Sequence, residues 1–382
     1  MEQFTFSTAA RVEYGEGKAE SVGGVLPSLL ENSAARPLLV TDPGIIDAGL
    51  LSPVTSSLRD SGIAFVLFDE VEPNPRDQTV RAGSKIYRSE ETNSIVAVGG
   101  GSVMDAAKAI GVLAKYGGAV SDYDGLDTVP GSIPPLVAIP TTAGTGSEVT
   151  MWAVVTDTDH HVKLGIGDRK IIPAIALVDP AMTYTLPTHM TIGSGLDALT
   201  HAVESYTCNL ANPVSDVLAL EAIRLVAENL PTAAERGEDR EARDGMMLGS
   251  LLAGMSFGNA DCAGVHALSE SIGGMYDAPH GMVNGILLPH LMAYNVEAVP
   301  DRYADVAEAL GAPRNPEASV NEVRRLLEQL EVPSLREFGV SSEDFGELAQ
   351  MSMSHPCSLS NPRPLDEEDW MQLLERALSG QW

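Results

Sequence analysis

The sequence predicts an α/β domain built on a parallel sheet, followed by an all-helical domain. Three observations carry that reading. The first half alternates short apolar runs with helical patterns, the runs are apolar throughout rather than at every second residue, and strand signals nearly vanish beyond about residue 190. A chain of 382 residues is long enough for two cores of ordinary size, and 44% hydrophobic with 20% charged residues is the composition of a globular protein.

The strands are expected at "PLLVTD" (37–42), "FVLFDEV" (65–71), "SIVAVGGG" (94–101), "PLVAIPTT" (135–142) and "IALVDP" (175–180). Continuous apolar strands separated by helices imply a parallel sheet covered on both faces. "MWAVVTDTDHHVKLGIG" (151–167) reads as a hairpin insert with a polar tip. After "TYTLPTHM" (183–190) come long amphipathic segments such as "PVSDVLALEAIRLVAENL" (213–230) and "VNEVRRLLEQLEV" (320–332). The boundary is placed near 188, giving an α/β domain over 1–188 and an all-helical domain over 189–382.

Charge narrows the function. The net charge is −29, with few lysines, the last being Lys170. A field of that sign repels phosphate backbones and anionic membranes, so neither nucleic acid nor a membrane is an expected partner. The acids are spread along the chain rather than blocked, which favours an acidic solvated surface over an acidic docking face. Such a surface suits a high-salt habitat, where screening weakens self-repulsion. The opening "MEQFTFSTAARVEYGEG" has no basic n-region or apolar h-region, and Cys208, Cys262 and Cys357 form no C-x-x-C pair. A cytoplasmic protein is expected.

In "SIVAVGGGSVMDAAKAIGVL" a strand runs through Gly99, Gly100 and Gly101 into a helix. The glycines permit a tight turn and a close backbone approach. Ser102 with Asp105 three residues on reads as a capping-box-like S-x-x-D, and the helix start suits a pyrophosphate. A plain turn would look similar, since this is not the G-x-G-x-x-G fingerprint. A second loop, "IPTTAGTGSEVT" (139–150), gathers Thr141, Thr142, Thr145 and Ser147 around Gly144 and Gly146 beyond another strand. Asp42, closing "PLLVTD", can accept hydrogen bonds from ribose hydroxyls and would repel a 2′-phosphate, which points to NAD rather than NADP.

The helical half poses a different problem in "GLDALTHAVESY" (195–206). Its apolar residues recur at helical spacing, yet Asp197 and His201 stand four apart on one face. His266 and His280 lie further on in "GVHALSESIGGMYDAPHGMVNGILLPH" (264–290), His280 after an "IGGMYDAP" loop. Singly, each histidine reads as a hydrogen-bonded core or surface residue, as His160, His161 and His189 do; His290 is ambiguous. Together, three histidines and a carboxylate would hold a divalent ion with room for a substrate oxygen, provided the two segments meet in space. Cys262, four before His266, is assigned to packing.

Along nearly its whole length the sequence resembles the iron-containing (group III) alcohol dehydrogenases. The matching segments are "GGGSVMDAAKAI" (99–110), "PTTAGTGSEVT" (140–150), "GLDALTHAVESY" (195–206), "NPVSDVLALEAIRL" (212–225) and "PHGMVNGILLPHLMAYN" (279–295). The resemblance implies a Rossmann-like domain and a helical domain, shared with dehydroquinate synthase-like proteins, with the site in the cleft between and usually a dimer. It places Asp197, His201, His266 and His280 on the family's metal ligands. It places Asp42, Gly99, Gly100, Gly101, Ser102, Thr141, Thr142 and Lys163 on its dinucleotide-binding positions. The implied cofactors are NAD and one divalent metal, Fe2+ by family expectation and Zn2+ by the same donor chemistry. The implied substrate is a small alcohol or aldehyde, oxidised or reduced by Lewis-acid polarisation and hydride transfer.

Two positions depart from the family pattern. Many relatives carry a second histidine four residues after the third ligand, credited with proton transfer; here that position is Glu270. It can relay a proton, orient a ligand histidine, alter substrate choice, or be a half-exposed helix glutamate. Trp152 replaces a frequent small polar contact near the nicotinamide. Other readings are a dehydroquinate synthase-like lyase, a reductase of a small oxoacid of the maleylacetate type, and a nucleotide-binding sensor that has kept the fold. A phosphorylated substrate would want lysines, and none follows Lys170.

Overall fold

A computed structural model of the chain describes residues 3–9, 11–30, 33–160 and 162–380. The chain divides into two compact units, one of Ser7–Thr142 with Gly146–Leu186 and one of Pro187–Trp382 with Met1–Phe6 and Ala143–Thr145. Among the described residues no helix is long and apolar enough to cross a membrane.

The first unit contains β1 (Arg11–Tyr14), α1 (Val22–Val25), β2 (Pro37–Val40), α2 (Pro43–Asp47), α3 (Leu51–Asp60), β3 (Val66–Phe68), α4 (Asp77–Ser89), β4 (Ser94–Gly99) and α5 (Gly101–Tyr116). It continues with β5 (Gly125–Leu126), β6 (Leu136–Pro140), β7 (Trp152–Asp157), β8 (Val162–Gly167) and β9 (Ile175–Val178). Six strands form one parallel sheet in the order β1-β9-β6-β4-β2-β3. Alternate residues of the inner strands feed opposite cores. Leu39, Val96, Val98, Val137 and Ile139 pack with Val54 and Leu58 of α3. Leu38, Val40, Ile95, Ala97 and Ala138 pack with Val80 of α4 and Val103, Met104 and Ile110 of α5. Both faces are covered, which is why these strands are apolar throughout.

The predicted strands are all present, each trimmed by a residue or more, and β1 and the two-residue β5 are additions. The β1 residues, "RVEY", carry two charges and lie at the sheet edge, paired with β9, so no apolar run announced that strand. The hairpin is present as β7 and β8, antiparallel from Trp152↔Gly167 to Asp157↔Val162. His161, at its tip, lies outside the described residues, and His160 bonds Asp157 at 2.9 Å.

One local expectation is corrected. Ser102 and Asp105 do not form a capping box: α5 starts at Gly101 with Gly100 as its cap and no side-chain cap bond. Asp105 instead accepts from Ser147 Oγ at 2.7 Å and Val154 N at 3.1 Å. Its neighbour Lys108 is fully buried and donates to Ser147 Oγ (2.8 Å) and to the carbonyls of Thr150 (3.1 Å) and Trp152 (2.6 Å). Burial pushes this ammonium down to about 8, against Asp105 and Glu148. Buried Glu148 is in turn pushed up to about 7 by burial, opposed by its own backbone amide and Lys108. The tether holds 147–154 onto α5, because two buried carbonyls would otherwise lack a donor.

The second unit is helical: α6 (Thr188–Thr207), α7 (Pro213–Glu235), α8 (Arg240–Phe257), α9 (Gly264–Tyr276), α10 (His280–Asn295), α11 (Pro300–Ala309), α12 (Pro316–Gln329), α13 (Phe345–Ser354) and α14 (Glu367–Ser379). Gly281 and Gly285 let α10 lie against α6. A Cβ on Gly281 would fall 2.2 Å from the Gly193 carbonyl, and one on Gly285 would fall 2.5 Å from Leu196. The expected "IGGMYDAP" loop is shorter than read. Ile272–Tyr276 completes α9, Asp277 (φ 51°) ends it in the left-handed region, and α10 begins at His280.

Replacing Lys108 with Met is expected to lower the free energy of unfolding by about 2–4 kcal/mol, through carbonyls left buried without donors. Urea denaturation of both proteins checks this.

Candidate functional site

Asp197 and His201 sit on successive turns of α6, as their spacing requires, and both are buried. His266 comes from the first turn of α9 and His280 from the start of α10. The two segments do meet. Asp197 Oδ1 lies 3.8 Å from His201 Nδ1, 3.8 Å from His266 Nε2 and 3.7 Å from His280 Nε2. Donors around a tetrahedral ion with bonds of about 2.1 Å stand about 3.4 Å apart, so this spacing suits a cation.

Two observations test the fit. Asn284 Nδ2, on α10, is 2.8 Å from Asp197 Oδ1, 3.1 Å from His266 Nε2 and 3.0 Å from His280 Nε2. Three acceptors thus converge on one point, where an amide has only two hydrogens to offer. His201 Nδ1 is buried with no hydrogen-bond partner, and an unpaired buried acceptor is costly unless something else binds it. The donor set of nitrogens and one carboxylate oxygen suits a first-row divalent metal.

The surrounding residues fix each ring. Glu204, one turn beyond His201, accepts from Val265 N at 2.6 Å through Oε1 and pairs with His266 Nδ1 at 2.5 Å through Oε2. Glu204 thus takes the His266 Nδ1 proton, which leaves Nε2, on the Asp197 side, as the atom that would face a cation. The His201 ring is stacked between Phe257, 4.1 Å away at 11°, and His266, 4.5 Å away at 24°. The Gly144 backbone accepts a hydrogen bond from His201; since Nδ1 has no partner, the donor is Nε2. Gly144 has no room for a side chain, because a Cβ would stand 2.7 Å from Ser194.

Burial would raise the Asp197 carboxyl, but His201, His266 and His280 hold it well below the usual range. Burial pushes His201 down to about 3, opposed by Asp197. For His266, burial works downward, yet Cys262, Asp197 and Glu204 raise it overall. Cys262, assigned to packing, stands beside the cluster. Its sulfur and donor nitrogens of His201 and His266 lie within 4.8 Å of one another, and burial pushes its thiol up to about 12. His290 is buried in α10 outside these clusters, with burial pushing it down to about 4, and His189 is exposed.

Nucleotide candidates in the sheet unit are distributed as follows. Gly99 ends β4, Gly100 and Gly101 open α5, and Ser102 lies in its first turn. A Cβ on Gly99 would fall 2.5 Å from Val103, so the turn admits no side chain there. With no side-chain cap, the first-turn N–H groups of α5 are available to an anion. Thr141 follows β6, its buried Oγ1 without a hydrogen-bond partner, and Thr142 stands over Gly100. These residues fit a phosphate-bearing ligand. Asp42 caps α2 through Ile45 N at 3.0 Å; burial raises its carboxyl, and the Ile45 and Gly44 amides oppose this. Lys163, on β8, donates to Asn74 at 2.8 Å and Thr156 at 3.0 Å. Asp105 and Ser147 are engaged with each other, and Thr145 belongs to the helical unit. The Trp152 ring lies on Gly167, where a Cβ would come within 2.4 Å.

Glu204, Asn284 and His355 escaped sequence reasoning. Glu204 had a usable signal, standing three residues after His201 on the same helical face. His355 had none, since its partner Glu270 lies 85 residues away.

This arrangement, a doubly covered parallel sheet joined in sequence to a helical unit with a carboxylate–trihistidine cluster, defines an NAD-linked metallo-dehydrogenase. The chain belongs to the iron-containing alcohol dehydrogenase family: its model matches residues 9–180, and that of the family's C-terminal part matches 191–378. The chain is 41% identical to choline dehydrogenase of Bacillus subtilis, over 99% of this chain and 96% of that protein. It is 38% identical to the NAD-dependent methanol dehydrogenase of Bacillus methanolicus, over 95% of this chain and 97% of that one. The crystal structure of a 1,3-propanediol oxidoreductase superposes with a TM-score of 0.95 at 38% identity, covering 98% of this chain and 100% of that one. The activity is that of a metal-dependent, NAD-linked alcohol dehydrogenase or aldehyde reductase.

Glu204→Gln is expected to weaken metal binding about 10–100-fold, because His266 loses the carboxylate that fixes its tautomer. Metal titration by calorimetry reads this directly.

Proposed function

We propose that residues 189–382 hold one divalent cation, Fe2+ in the cell, through Asp197, His201, His266 and His280, and that residues 1–188 bind NAD. The observation that carries this reading is the convergence of Asp197, His266 and His280 on one point, beside the unpartnered His201 Nδ1. When bound, the cation supplies Lewis-acid polarisation of the alcohol or carbonyl oxygen, and NAD supplies the hydride acceptor.

The chain's own residues do the positioning. Glu204 holds His266 in one tautomer, and Phe257 and Gly144 hold the His201 ring, so the donors need no rearrangement to bind. Gly99, Gly100, Gly101, Ser102, Thr141 and Thr142 receive the pyrophosphate, and Asp42 favours NAD over NADP by repelling a 2′-phosphate. Lys163 and Trp152 contribute through the β7–β8 hairpin, Thr145 and Ser147 through the loop between β6 and β7, and Asp105 by bracing that loop. The names of the relatives span choline, methanol and 1,3-propanediol, so relatedness leaves the alcohol open. A cytoplasmic homodimer or higher homo-oligomer, adapted to high salt, completes the reading; the net charge of −29 supports the last.

The test is elemental analysis of protein purified without oxygen, followed by an alcohol screen for net NADH. A redox-cycling lyase would accumulate none. His280→Ala is expected to lose the metal and to cut NADH formation at least about 100-fold, with NAD affinity within about twofold of the parent. Removing molar salt is expected to lower the melting temperature by several degrees as screening is lost; an unchanged melt would end the high-salt reading.

A further inference from the structure

Cys262 stands against the histidine cluster, and no part of the alcohol chemistry uses it. It lies on the short link between α8 and α9, two residues before Gly264 opens the helix that carries His266. The link is braced from both sides. Asp261 Oδ1 accepts from the Cys262 backbone N–H at 2.9 Å, and Asp261 Oδ2 accepts from Ser360 Oγ at 2.5 Å. The Cys262 side chain is in hydrogen-bond contact with His266, and Cys262, His201 and His266 are all buried.

The possible ligand atoms here form two groups, each with its members within 4.8 Å of one another. One is Asp197, His266 and His280; the other is His201, Cys262 and His266. Both rings of the second group have a nitrogen to give. The Gly144 backbone takes the His201 Nε2 proton, so Nδ1 holds the lone pair, and it is buried without a hydrogen-bond partner. Glu204 holds His266 Nδ1, which leaves Nε2. Two imidazoles and a sulfur suit soft and borderline ions, whereas imidazoles with a carboxylate suit harder ones. His266 belongs to both groups, and a ring with one free lone pair binds one ion. The two groups therefore exclude each other.

We propose that Cys262 gives this centre a second, thiophilic seat. A soft divalent cation such as Cd2+ binds there through the Cys262 thiolate, His201 and His266, and displaces the ion held through Asp197 and His280. The proposal rests on the dehydrogenase reading of the Asp197, His201, His266 and His280 cluster. On binding, the S–H bond breaks, a sulfur–metal bond forms and the proton passes to solvent, with no oxidant involved. Thiophilic ions then inhibit the enzyme by taking two of its own ligands.

The probes are Co2+ and Cd2+, each loaded into the full-length protein in place of Fe2+. The Co2+ protein should show a near-ultraviolet thiolate-to-cobalt charge-transfer band that Cys262→Ser lacks and Cys357→Ser keeps. Calorimetry should find Cd2+ binding weakened about 100-fold or more in Cys262→Ser and equally in Cys262→Ala. His280→Ala, which removes a donor of the other group alone, should bind Cd2+ about as tightly as the parent. Cadmium NMR of the parent reads sulfur ligation without any substitution, and it decides the matter if the variants fail to fold. A cobalt spectrum without the thiolate band, or unchanged Cd2+ affinity in Cys262→Ser, overturns the proposal and leaves the dehydrogenase reading standing. Thiolate-bound Cd2+ in a protein that yields no NADH from any alcohol when loaded with Fe2+ overturns that reading alone. A parent that binds neither probe overturns both.

Discussion

The helical unit is organised around one buried carboxylate that has three imidazoles within 4 Å of it. Asp197 Oδ1 is the hub, with all three rings 3.7–3.8 Å from it. Burying such groups is costly unless each is paired or bound to a cation. The neighbouring features answer that cost. Glu204 pairs His266, Gly144 pairs one side of His201, and the glycines of α10 let His280 approach α6.

The sheet unit solves a different problem with the same economy of side chains. Its inner strands are apolar on both faces, so polar and glycine-rich segments are confined to their ends, at Gly99–Ser102 and Thr141–Thr142. Lys108 and Asp105 work beneath that edge, binding the 147–154 segment to α5 from inside. The loop is therefore held by buried charge-assisted bonds rather than by its own turn geometry.

Much of this was legible in the sequence, and the gaps have physical causes. Continuous apolar runs announced the inner strands, while β1, polar and on the sheet edge, had no such mark. The pairing of Asp197 with His201 follows from helical period alone. That His266 and His280 join them depends on how three helices cross, which local pattern does not encode; the family resemblance supplied it. The S-x-x-D after Gly101 matched a cap by spacing, yet Asp105 found stronger partners in Ser147 and Val154. His355 is the limiting case, since nothing near it in sequence suggests a partner 85 residues earlier.

The stacking of His201 has a consequence for the freedom of its ring. Phe257 and His266 flank the ring at 4.1 and 4.5 Å, and the Gly144 backbone holds its far nitrogen. Turning the ring would break both stacks and the Gly144 bond together, so its orientation is fixed by the fold. Whatever ligand the site receives meets an imidazole already aimed, with no rotamer freedom left to lose on binding.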